Sequence, residues 1–209
     1  MASEQRDLKT ELYGQVISHM RAKHPELIDA AYDMFWEEEY PEDFLSGLPL
    51  ELAFVNFEDW FICDFKDCES GSVIDLYLAE NEGAKDAALL EKLRDSVISL
   101  YEVKTAGEAA TLEDLLQGGT VDLRPMPLEG MKAGDLFGAR IPDFGNGPVM
   151  GSCVYPFGRA MKETVTAYFE KHFNRYKRGC EDGPPIRQFL KDEASYFNII
   201  WINSLYKRA

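Results

Sequence analysis

The sequence predicts an α+β protein with N-terminal helices, a small bent antiparallel sheet or partial barrel, and a C-terminal helical pair. Apolar residues recur at helical spacing before residue 96 and after residue 157. Over residues 96–157, β-branched and aromatic residues alternate with polar ones. A chain of 209 residues can form one compact domain. We divide it into a helical region (1–95), a small antiparallel β region (96–157) and the C-terminal helical pair (158–209).

The first helical region begins with two helices, which we place within the first forty residues. We place the break between them at His24-Pro25, because proline fits the first turn of a helix. A third helix over 49–66 is apolar on two sides, which predicts a position between two packed layers. A loop at 68–72 leads to shorter helices over 73–81 and 86–95.

The β region opens with a strand at Val97–Val103, which is rich in β-branched and aromatic residues. Thr111 is then expected to cap a single helical turn, Leu112–Leu116. Three further strands are predicted, at 120–124, 136–141 and 149–154. The last of these is expected to follow a hairpin tip at Gly145–Gly147.

In the C-terminal region, the sequence predicts one helix over 158–178 and a last helix that begins at Pro184-Pro185. Residues 197–202 are apolar and aromatic enough to form a strand instead. We favour the helix because its apolar spacing continues from Phe189.

Composition excludes several classes of protein. The formal net charge is −15, which argues against general binding of nucleic acid or anionic lipid. No apolar run approaches the ~18 residues of a membrane span, and the N-terminus lacks the pattern of a secretory signal. We therefore expect no membrane partner and a cytoplasmic location. The four cysteines are expected to be free thiols rather than disulfides.

Five short segments occur in an order that resembles a known family. They are Glu58–Phe65, Ser99–Val103, Leu112–Gly118, Gly134–Ile141 and Tyr155–Phe157. The set resembles a family of uncharacterised bacterial cytosolic proteins, some of which also carry the small zinc-binding SEC-C module. The resemblance covers residues 55–160 and implies a bacterial, cytoplasmic α+β protein. The cysteine cluster of the zinc module is absent here, so the resemblance implies no mechanism.

Motifs for cofactors and metals are also absent from the sequence. It contains no phosphate-binding loop, no nucleophile elbow and no His-Glu-x-x-His helix. Cys63 and Cys68 could supply half of a zinc site, but Cys153, Cys180 and His172 lack the spacing of a second ligand pair. We therefore predict no metal and no cofactor, and interpret the cysteines as buried, unreactive thiols.

Cys153 is the best candidate for a catalytic nucleophile. It lies near a strand end, and His172, one helix later, could act as its base, with Glu163 or Glu170 orienting the imidazole. His172 also lies on the apolar face of its helix, where a histidine is more often a core residue. The residue types for cysteine chemistry are thus present, without evidence from the sequence that they meet.

Asp29, Asp33 and Glu37 are spaced four apart along the second helix. Such a row could hold a divalent cation, but a solvated helix face is the favoured interpretation because like charges at this spacing repel. The row therefore carries no metal prediction.

Lys171, Arg175 and Arg178 form a basic ridge on the helix over 158–178 and are our candidate partner contacts. Residues 1–158 hold 12 Lys+Arg and 31 Asp+Glu, whereas 159–209 hold 10 and 6. Docking of the ridge on an acidic surface, of this chain or of a partner, is therefore favoured over binding of nucleic acid.

The first functional hypothesis is a non-enzymatic bacterial cytosolic protein that binds another macromolecule, a protein partner or a second copy of itself. The alternative is a cysteine-dependent hydrolase or transferase that uses Cys153 and His172. A third hypothesis is an acidic protein that mimics nucleic acid.

Overall fold

The computed structural model describes residues 2–37, 39–67, 71–124, 130–180 and 183–206, with side chains from Thr10 onward. These residues form eight α-helices and two antiparallel sheets, so the predicted α+β class is confirmed. The chain divides into two compact units. The helical unit comprises Met1–Ser96 with Pro142–Phe144, and the sheet unit comprises Val97–Ile141 with Gly145–Ala209.

The helical unit contains five helices and one short hairpin. The helices are α1 (Ala2–Lys23), α2 (Pro25–Trp36), α3 (Leu48–Cys63), α4 (Val73–Glu80) and α5 (Ala87–Asp95), and the hairpin strands are β1 (Lys66–Asp67) and β2 (Gly71–Ser72). The break between α1 and α2 lies at His24-Pro25 as predicted, and α3, α4 and α5 were predicted within a few residues of these bounds. The hairpin replaces part of the loop predicted at 68–72, of which 68–70 lie outside the described residues.

Local signals explain where these helices begin and end. Pro25 is the first residue of α2, and Glu37, at φ 52°, ends it in the left-handed conformation. The Ser72 hydroxyl accepts the backbone N–H of Asp75 at 3.1 Å and caps α4. Pro25 and Ser72 are start residues that the sequence itself carries, whereas Glu37 adopts a conformation that glycine or asparagine usually provides.

An aromatic core lies against one side of α3. Phe57, Trp60 and Phe61 are buried and pack with Phe35 of α2 and with Phe65, at ring-centroid distances of 4.9–6.4 Å. On another side of α3, Asp59, Ile62 and Cys63 are fully buried, and α3 contacts α1, α4 and α5 as well as α2. The prediction that α3 lies between packed elements is therefore confirmed for Phe57, Phe61 and Ile62, whereas Val55 of the second apolar side stays exposed.

The sheet unit is built on five antiparallel strands. They are β3 (Ile98–Ala106), β4 (Ala110–Asp114), β5 (Thr120–Leu123), β6 (Leu136–Arg140) and β7 (Val154–Phe157). Their order across the sheet is β5-β4-β3-β6-β7. A register shift between Val103 and Thr105 interrupts the β3–β4 pairing, and such irregularities bend a sheet.

The predicted helical turn at Leu112–Leu116 is wrong. Ala110–Asp114 is strand β4, with Leu112 buried opposite Val103 of β3. The buried Asp114 carboxylate accepts the backbone N–H groups of Leu116 and Gln117 at 3.0 and 2.9 Å. This side chain stabilises a tight turn after the strand, and the pairing with the preceding strand β3 decides the conformation before it.

The strand predicted at 149–154 is also misplaced. Pairing with β6 begins only at Val154 and runs to Phe157, opposite Leu136. Gly145 and Gly147 have the positive φ of a turn, but they lie within a longer connection. Pro142 and Pro148 flank them, and proline cannot donate a ladder hydrogen bond.

The C-terminal helices pack on the sheet of their own unit. They are α6 (Lys162–Arg178), α7 (Ile186–Asp192) and α8 (Tyr196–Tyr206), so the last predicted helix is divided in two and 197–202 is helical. Phe197 stacks on Phe169 of α6 at 4.4 Å and lies 5.9 Å from the Tyr155 ring of β7. Trp201, fully buried, contacts the same tyrosine at 5.9 Å. No helix of the described residues is long and apolar enough to cross a membrane.

Candidate functional site

Cys153 is completely buried just before β7. Burial, followed by the Asp114 carboxylate and the nearby Cys153 thiol, raises the pKa of the Tyr101 phenol. A substrate must reach a nucleophile to react with it. The surroundings of Cys153 are those of a structural thiol.

His172 occupies a different environment in the same unit. Its ring lies between Tyr168 of α6 and Tyr196 of α8, at 4.3 and 4.6 Å between centroids. Burial, and after it the charges of Lys171 and Arg175, lower the pKa of His172. The contacts of this half-buried imidazole are aromatic rings of the helical layer, and its buried Nδ1 has no hydrogen-bond partner among the described residues.

The remaining cysteines are divided between the core and the surface. Cys63 is fully buried, with its Sγ 3.5 Å from the Tyr13 hydroxyl. Cys180 is exposed, and neither it nor Cys63 and Cys153 forms a disulfide. Cys68, the predicted second half of a zinc pair, lies outside the described residues.

The basic ridge is exposed along α6. Lys171, Arg175 and Arg178 all lie on the surface, and they form no ion pair with any other described residue. The cations that do pair with the sheet lie before them in the chain. Arg159 donates to Asp135 at 2.7 Å and Lys162 donates to Glu102 at 2.9 Å.

Asp29, Asp33 and Glu37 are exposed on α2 and do not form a metal-binding group. Within the described chain, one cluster does combine three potential ligands: His19, His24 and Glu80. The Glu80 carboxylate accepts His19 Nε2 at 2.6 Å and His24 Nε2 at 2.9 Å. The imidazoles of His24 and His19 lower the pKa of Glu80.

This His–Glu–His cluster, as we name it, was missed in the sequence. His19 belongs to α1, His24 lies in the break before α2, and Glu80 ends α4. The sequence offered one signal. Of its three histidines, His19 lies just before the predicted helix break at His24-Pro25 and His24 lies in that break. Nothing near Glu80 in the chain indicates that this carboxylate is their partner.

The outward side of α3 is the other unusual surface of the helical unit. Leu48, Glu51, Phe54, Val55 and Glu58 share one stripe by their helical spacing. Leu48 is 66% exposed, and Phe54 and Val55 are also exposed. We name these five residues the acidic apolar face.

The chain around this face contains no cation. Residues 24–65 include 12 Asp+Glu and no Lys or Arg. Arg21, from α1, donates to Glu58 at 3.2 Å at one end of the face. Met34 and Tyr40, in the same acidic segment, are exposed as well.

Comparison with known proteins finds no relative. No protein-family model matches the chain, and no curated protein and no solved structure matches it. The family resemblance therefore stays a prediction, and the functional argument depends on the residues themselves.

Proposed function

We propose that the protein is a non-enzymatic binding protein, whose acidic apolar face binds a basic, amphipathic segment of a protein partner. The observation that carries this proposal is the exposure of Leu48, Phe54 and Val55 in a segment without Lys or Arg. Apolar side chains grouped on a surface are typical of protein contacts, and the surrounding carboxylates select the charge of the partner.

The chemistry of the face favours a cationic helix over the other partners considered. Leucine-sized side chains at helical spacing can pack on Leu48 and Val55, while lysines at the edge approach Glu51 and Glu58. Nucleic acid and anionic lipid would be repelled by the same carboxylates. A cytoplasmic location remains part of this proposal, as does bacterial origin.

The test uses a labelled helical peptide made of leucine and lysine, with a leucine–glutamate peptide of the same pattern as its control. We expect the basic peptide to bind, more weakly at high salt. The double variant Leu48→Ser/Val55→Ser should bind it at least about tenfold more weakly, since two apolar contacts are lost. Tyr206→Ser removes an exposed aromatic side chain from the other unit and should leave the affinity unchanged.

Fluorescence anisotropy gives the affinities, and circular dichroism checks that both variants remain folded. Equal affinity of the double variant and the wild type would contradict the proposal. Equal binding of the acidic peptide would contradict it as well. Concentration-dependent self-association that the double variant abolishes would instead identify a second copy as the occupant of the face.

A further inference from the structure

We propose that His19, His24 and Glu80 bind a divalent transition-metal ion, for which Zn²⁺ has the most suitable chemistry. Two imidazoles and one carboxylate converge from three separate segments, and their ligand atoms all lie within 4.8 Å of one another. Imidazole nitrogens favour zinc and its transition-metal neighbours over Mg²⁺ and Ca²⁺, which prefer oxygen ligands. The proposal is independent of the acidic apolar face.

The distances suit a small ion after a modest adjustment. Ligands about 2.0–2.2 Å from a tetrahedral zinc ion lie about 3.3–3.6 Å from each other. The two Nε2 atoms are now 2.6 and 2.9 Å from different oxygens of Glu80, so shifts of about 1 Å would admit the metal. All three ligands are side chains at or near helix ends, where such shifts need no change in the core.

Metal binding requires that each Nε2 lone pair be free. In the ion-free cluster these nitrogens donate their protons to Glu80. On binding, an imidazolium releases that proton to solvent, whereas a neutral ring loses it from Nε2 and gains one at Nδ1. The Glu26 carboxylate lies 3.8 Å from His24 Nδ1, beyond hydrogen-bond distance, and on closer approach it would favour the metal-binding tautomer.

The number of protein ligands leaves the coordination of the ion incomplete. Three protein ligands leave one tetrahedral position for water or a small anion. Tyr77 contacts the His19 ring edge-on at 5.1 Å. A structural zinc site is closed by four protein ligands, so this cluster resembles the open kind of site.

The experiment uses the full chain, dialysed against EDTA and titrated with Zn²⁺ by calorimetry. We expect one equivalent of zinc to bind. Glu80→Gln and His24→Gln should each weaken binding at least about 100-fold, because removal of a ligand costs more than removal of an outer-shell partner. His172→Gln is the matched control, since it removes the one histidine outside the cluster and should change nothing. Cys180→Ser, which removes the exposed thiol, should likewise bind zinc normally.

A second measurement keeps the proposal testable if a cluster variant does not fold. Imidazole nitrogen resonances of the wild-type protein are recorded before and after one equivalent of Zn²⁺. Large shifts of His19 and His24, with His172 unaffected, are the expected result. Unchanged histidine resonances, or binding lost only in Cys180→Ser, would overturn the proposal and leave the cluster as a hydrogen-bonded clamp between helices.

Discussion

At the scale of single residues, the cysteine thiols that were candidates for chemistry differ in their burial. Cys63 and Cys153 have no exposed surface, whereas Cys180 is exposed. A catalytic cysteine needs access and a lowered pKa. The alternative hypothesis of a cysteine-dependent hydrolase or transferase thus depends on a thiol that solvent does not reach in this conformation.

We predict that Cys63 and Cys153 resist thiol reagents in the native protein. In a Cys68→Ser/Cys180→Ser variant, a disulfide reagent should label neither remaining thiol on the timescale that labels Cys180 in the wild type. Both should react once guanidinium unfolds the chain, which serves as the internal control. Rapid labelling of Cys153 below pH 7 would make the cysteine-dependent enzyme the leading hypothesis.

Tyr101 gives a second prediction at this scale. Burial, followed by the Asp114 carboxylate and the Cys153 thiol, raises the pKa of its phenol above the ordinary 10.0. In the unfolded chain Tyr101 ionises at a lower pH than in the folded protein. Its contribution to the free energy of unfolding is therefore fully present below pH 10 and is lost as the pH rises toward the folded-state pKa. Between pH 10 and 11, Tyr101→Phe should therefore lose less stability than the wild type, by up to about 1.4 kcal/mol per pH unit.

Urea unfolding at pH 9, 10 and 11 measures this difference. Tyr206→Phe, at an exposed position, should follow the wild-type pH dependence and provides the control. Identical slopes for Tyr101→Phe and the wild type would show that the phenol ionises freely in the folded protein.

At the scale of elements, α8 approaches the sheet at a glycine. A Cβ added to Gly138 of β6 would lie 2.6 Å from the Phe197 ring and 3.4 Å from Cβ of Tyr155. Phe197 is fully buried, so its ring cannot move aside without disturbing other contacts. The absence of a side chain at Gly138 is what allows this close packing of helix on strand.

We predict that Gly138→Ala destabilises the protein by about 1–3 kcal/mol through overpacking. Gly14→Ala is the matched control: Gly14 lies inside α1 with open space around its Cα. It should stabilise the protein by about 0.5–1 kcal/mol, because alanine favours the helix. Urea unfolding of both variants is the measurement, and equal effects of the two substitutions would refute the packing argument.

At the scale of the whole molecule, the charge of the chain is uneven, and basic residues of the C-terminal region form ion pairs with acidic residues elsewhere in the sheet unit. Lys162 pairs with Glu102 and Arg159 with Asp135, and all four side chains are partly exposed. Such pairs contribute only about 0–1 kcal/mol each. The buried rings of Phe169, Phe197 and Trp201 must therefore supply most of the stability of this layer, while the charges help to set its register.

The helices were predictable because their signals lie within a few residues. Pro25 begins α2 as expected, and the apolar spacing from Phe189 onward correctly indicated helix at 197–202. The strands β3, β5 and β6 were found from their alternating or β-branched composition. These conformations follow from interactions that a short window of sequence already contains.

Only tertiary structure decided the rest. Leu112 became part of a strand because β3 pairs with it, and Phe54 and Val55 stayed exposed because no described element packs on that stripe of α3. Glu80 meets His19 and His24 from 61 and 56 residues away. Periodicity and capping depend on neighbours in the chain, whereas the choice among distant partners depends on how whole elements pack, which no short segment specifies.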